Sequence, residues 1–102
     1  MKLIYTQSGQ FAAKASLAIA VAYRKDEEID GKFGVHIGFK GDSNTVSFGL
    51  YSTADRAKTA MDMLVMWLAA DNDSKNIFYM PEDGEHLDVM VVEEDNAKEV
   101  NS

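Results

Sequence analysis

With 102 residues, 46% of them apolar, the chain is long enough to bury one core unaided, and its lack of cysteine excludes disulfides and thiolate metal ligands and fits a reducing cytoplasm. The formal charge of −7 lies wholly in residues 81–102, where eight acids face Lys98 alone, because nine acids and nine bases cancel over residues 1–80. An acidic end with no basic stripe elsewhere argues against direct nucleic-acid binding, and no apolar run reaches the roughly 18–20 residues of a membrane span.

Residues 1–6 read as a first strand and Gln7-Ser8-Gly9-Gln10 as a turn. Residues 11–15 are ambiguous, since Ala12, Ala13 and Ala15 favour a helix but the window is too short to nucleate one. The uncharged run from Ala15 to Tyr23 is short for a signal peptide, alternates large with small, and follows a polar stretch, so no leader is expected. Residues 16–24, 32–40 and 45–51 then read as three strands. Asp30-Gly31 and Gly41-Asp42-Ser43-Asn44 supply turns between them, which predicts an antiparallel meander.

These three strands share a pattern of period two, the signature of side chains alternating between sheet faces. Leu17, Ile19, Val21 and Tyr23, then Phe33, Val35, Ile37 and Phe39, then Val46, Phe48 and Leu50 form a bulky face. Ala18, Ala20, Ala22, Gly34, His36, Gly38 and Gly49 form a bare one, onto which another backbone could pack closely.

The helix after residue 51 has Ser52 and Thr53 as N-cap candidates and Asp55 as a favourable first-turn charge. Ala57, Ala60, Met61, Leu64 and Leu68 make one apolar stripe that should cover the bulky face. From Met63 the helix is apolar all round, so something besides the sheet must cover Met63, Met66 and Trp67. Residues 76–80 read as a further strand, Pro81-Glu82-Asp83-Gly84 as a turn, and residues 86–92 as a short last strand. The expected fold is α+β: an antiparallel sheet of four or five strands with one amphipathic helix on one face, in the order β-β-β-β-α-β. A single domain over residues 1–92 is followed by an acidic, disordered tail over 93–102.

The chemical motifs are sparse. His36 is a lone imidazole with no orienting carboxylate assigned by the sequence, and His86 lies among Glu82, Asp83, Glu85 and Asp88, which reads as a solvated acidic loop. Asp71, Asp73 and Glu82 fit the first, third and twelfth positions of a calcium loop. Lys75 and Asn76 break the fifth and sixth, and strand-like Ile77 to Met80 fills its middle. Asn72-Asp73-Ser74 is a glycosylation triplet without meaning in the absence of secretion. No catalytic residue, cofactor or metal is therefore expected.

Ile4-Tyr5-Thr6-Gln7-Ser8-Gly9, Gly49-Leu50-Tyr51-Ser52-Thr53 running into Arg56-Ala57 and a Met/Leu-rich helix, and Phe78-Tyr79-Met80-Pro81-Glu82-Asp83 resemble small phage- and prophage-encoded proteins of Gram-positive bacteria. The resemblance spans about residues 1–83. It implies a compact domain of strand meander, helix and strand, in the cytoplasm of a phage host, with no assigned chemistry and no functional residue to transfer.

Three functional classes follow, the last in rank being a small enzyme that uses His36 as a base. The first is a self-associating interaction module, most simply a homodimer, using Met63, Met66, Trp67 and the bare face with Ala18, Ala20, Ala22 and His36. The second is an acidic inhibitor that presents Glu82, Asp83, Glu85, Asp88, Glu93, Glu94 and Asp95 as phosphate mimics to a basic surface on a host nucleic-acid enzyme.

Overall fold

The structure is a computed structural model that describes residues 1–26, 29–70 and 76–88. It is α+β, with six strands, β1 (Leu3–Tyr5), β2 (Ala12–Lys14), β3 (Ala18–Lys25), β4 (Phe33–Phe39), β5 (Val46–Tyr51) and β6 (Ile77–Tyr79), and one helix, α1 (Ala54–Ala69). The expected single sheet of four or five strands is instead two sheets of three, ordered β2-β1-β6 and β3-β4-β5. The division falls at a 3-10 turn, Ala15–Leu17, which bends the chain between β2 and β3. The ambiguous alanine segment is thus a strand, paired antiparallel with β1. Its propensity for helix is overridden by a ready partner edge.

β1 and β6 run parallel, and the intervening chain, α1 included, provides the long crossover that parallel pairing demands. β3, β4 and β5 form the predicted antiparallel meander. Gly31 and Gly41 sit in the turns on either side of β4 with φ of 75° and 91°, a region in which only glycine is unstrained. Thr53 caps α1, its side-chain oxygen accepting from the Arg56 amide at 3.1 Å.

The helix stripe covers the bulky face as expected. Ala57, Ala60 and Leu64 are buried against Val35, Ile37, Phe39, Phe48 and Tyr51, with Met61 and Leu68 partly buried beside them. Ile4, from the small sheet, joins the same core.

Two bulges change which residues face that core. One lies between Ala18 and Ala20 and sets Ala18 opposite Phe39, packed against the core, while Leu17 and Ile19 are left 44% and 69% exposed. The other lies between Ser47 and Gly49, setting Gly49 opposite Val35 and Tyr51 opposite Phe33. Directly opposed residues share a face. Ala18 and Gly49 therefore leave the predicted bare face, and Leu50, opposite Gly34, leaves the bulky one. Each bulge shifts the alternation by one residue, a change that period-two reading cannot register.

Glu85–Leu87 is a 3-10 turn and not the start of a strand, and its Leu87 is buried in the core. Residues 89–92 of the proposed last strand, the acidic tail, and the calcium-like and glycosylation triplets at 71–75 lie outside the described residues.

Candidate interaction surface

The open side of the meander is built in cross-strand rows. Ala20 faces Gly38, Ala22 faces His36 and then Ser47, and Arg24 faces Gly34 and then Leu50. Ala20 and Ala22 are exposed, and a Cβ placed on Gly38 would lie 3.6 Å from that of Ala20, so this part of the face is shallow and tightly knit.

His36 lies down on Gly34, whose missing side chain makes the space: a Cβ there would sit 2.7 Å from His36 Nε2. Arg24 starts in the row of Gly34, and its Nη2 donates to Thr45 Oγ1 at 3.2 Å, one residue before β5 begins. Its guanidinium must cross the His36 row to get there. The imidazole is thus enclosed between the Gly34 backbone and Arg24. Both ring nitrogens are buried without a hydrogen-bond partner, although the residue as a whole is only half-buried. Burial, then the Arg24 charge, hold the His36 pKa below its ordinary 6.5, with Asp26 opposing them weakly, so the ring is neutral at pH 7.

The unfolded chain takes up the His36 proton near pH 6.5 and the folded chain only at lower pH, so stability is whole above 6.5 and falls as pH drops from there towards the folded value. Urea denaturation of His36→Val at pH 7.5, 6.5 and 5.5 is expected to show a flatter pH dependence than the parent. Its stability at pH 7.5 should be equal or higher by about 1 kcal/mol, because an unsatisfied polar group is removed. An equally steep fall in both proteins would show that His36 is not the titrating group.

The predicted methionine and tryptophan cluster divides. Met63 and Trp67 are half-buried and packed against the core, while Met66 is exposed next to Val65. Trp67 lies 5.5 Å from the Phe78 ring, and Lys2 Nζ stands 5.0 Å above it while donating to Ala70 O at 2.9 Å and more weakly to Trp67 O at 3.5 Å. Lys2 therefore completes the C-terminal end of α1 and covers the indole in one gesture. The small sheet thus covers Trp67, whereas Val65 and Met66 on the same half of the helix stay exposed.

The acidic residues also divide. Arg56 grips Asp88 with two bonds, Nε to Oδ1 at 2.8 Å and Nη2 to Oδ2 at 2.7 Å, and reaches Asp83 at 3.5 Å. The Arg56 hydrogen bond holds the Asp88 carboxyl below the usual range against some burial. Burial would raise Asp83, but hydrogen bonds from Ser52 and the Arg56 charge outweigh it and leave that carboxyl lowered too. Glu82 and Glu85 are exposed with no cation beside them among the described residues, and Glu93, Glu94 and Asp95 lie outside those residues. No three potential ligands gather in a metal-binding group, and no helix is long and apolar enough to cross a membrane, among the described residues.

One further apolar surface arises only from the pairing of strands distant in sequence. Tyr5 and Tyr79 stack at 4.7 Å on the outer side of the small sheet, next to the Leu3 and Ile77 pair, and Tyr79 is 61% exposed. The signal was present in two three-residue strands whose middle residues, Ile4 and Phe78, turn inward. Only the parallel pairing brings their outer residues side by side.

No family model matches the chain, and neither a curated protein nor a solved structure shows detectable similarity to it.

Proposed function

We propose that the chain is a non-catalytic protein-interaction module that self-associates, with a homodimer as its basic assembly in the cytoplasm. One observation carries the reading. α1 seals one face of the meander, whereas the other presents Ala20, Ala22, Gly38 and a half-buried His36, and Leu17 and Ile19 stand exposed where β3 begins. Apolar residues grouped in this way mark an interaction surface more often than a bare exterior. The alternative, phosphate mimicry, is weakened because Arg56 already engages Asp83 and Asp88.

Light scattering coupled to size-exclusion chromatography tests the proposal over a hundredfold range of concentration. The expected mass is twice the 11.3 kDa of the chain at the upper end. A mass of one chain throughout would refute self-association.

A further inference from the structure

We infer that two copies associate edge to edge through β3, antiparallel about a two-fold axis at Val21, so that two meanders become one six-stranded sheet. This rests on the self-association reading and names its surface.

The two edges of the meander differ. At β5, Gln7 closes the edge: its amide donates to Phe48 O at 2.8 Å, and its side chain both accepts from the Leu50 amide at 3.0 Å and donates to Leu50 O at 3.1 Å. At β3, the longest strand, no backbone hydrogen bond reaches the outer edge among the described residues. The phase of that edge is fixed by its inner neighbour. Asp26 N–H donates to Lys32 O, and in the same register Arg24, Ala22 and Ala20 face Gly34, His36 and Gly38 with their N–H and C=O groups directed at β4. Val21, Tyr23 and Lys25 consequently direct theirs outward. An unprotected edge of this kind is a template for another strand.

The sequence along that edge identifies the strand as a second copy. Ile19-Ala20-Val21-Ala22-Tyr23 reads large, small, medium, small, large in either direction, and a two-fold contact requires such self-complementarity. Pairing about Val21 sets Ile19 beside Tyr23 of the partner subunit, both exposed in the single chain, and Ala20 beside Ala22 of the partner subunit. Charge agrees. Arg24 and Lys25 fall opposite the uncharged 17–18 end of the other copy, whereas parallel pairing would align like charges side by side.

The absence of cysteine makes the test direct. Ala20→Cys and Ala22→Cys chains, both changed at exposed positions, are oxidised alone and as a mixture. A disulfide-linked dimer is expected in the mixture, and little in either alone, because only positions 20 and 22 of different copies stand opposed. Ile19→Lys, at a position 69% exposed, is expected to leave the circular dichroism unchanged and shift the mass from two chains to one. A dimeric parent with no 20-to-22 cross-link and a dimeric Ile19→Lys chain would overturn the edge pairing while leaving self-association intact. A parent of one chain's mass would overturn both.

Discussion

Tyr51→Ala is expected to cost about 3–5 kcal/mol in urea denaturation, against about 0.5–1.5 kcal/mol for Tyr51→Phe. Tyr51 is fully buried and sits where three parts of the molecule meet. It ends β5, faces Phe33 across the meander, and folds back over Gly49, where a Cβ would lie 2.8 Å from its hydroxyl oxygen. Its hydroxyl donates to Pro81 O at 2.7 Å and so ties the meander to the segment after β6. Burial, then the Asp83 charge, push the phenol well above its ordinary pKa, so it stays protonated and able to donate. Removing the ring leaves a large cavity. Removing the hydroxyl alone leaves Pro81 O with the Gln7 side-chain donor at 3.2 Å, which explains the smaller cost. Equal losses in the two variants would mean that the hydrogen bond, and not the ring, holds this junction.

Leu64→Ala should cost about 2–5 kcal/mol. Among the buried residues of α1, Ala57 and Ala60 bring the helix backbone close to the sheet, and Leu64 is the one large side chain, with no exposure to solvent. A cavity there cannot collapse easily, because Val35, Ile37 and Phe39 are fixed in β4 and the helix is held at its other end by Thr53 and Arg56. Met66→Ala, two residues on and on the exposed side of the helix, is the control and should change stability by about 0.5 kcal/mol or less. Similar losses at both positions would contradict the assignment of the helix face.

Helix, turns and meander were legible because each rests on local chemistry: the apolar stripe of Ala57, Ala60 and Leu64, the Thr53 cap, and glycines at 31 and 41. What escaped was non-local. Ile4 and Phe78 belong to a second sheet because β1 finds its partners 9 and 74 residues along the chain, at Ala13 and Phe78, and no pattern within three residues encodes that choice. The bulges at Ile19 and Phe48 reversed the faces of Ala18 and Gly49, since one inserted residue flips every side chain beyond it. For the candidate surface, Ala20, Ala22 and His36 were identified from alternation alone. That His36 lies under Arg24, and that Gln7 closes one edge of the meander and leaves the other open, depends on side-chain reach across strands.

Amide hydrogen exchange, resolved residue by residue and repeated on dilution, tests the edge pairing most directly. The amides of Ala22 and Arg24 bond to β4 within one chain and should exchange slowly at every concentration. Those of Val21 and Tyr23 point to the outer edge, and should exchange slowly in concentrated protein but quickly once the assembly is diluted apart. Rapid exchange of Val21 and Tyr23 at all concentrations would contradict the pairing of β3 with a second copy.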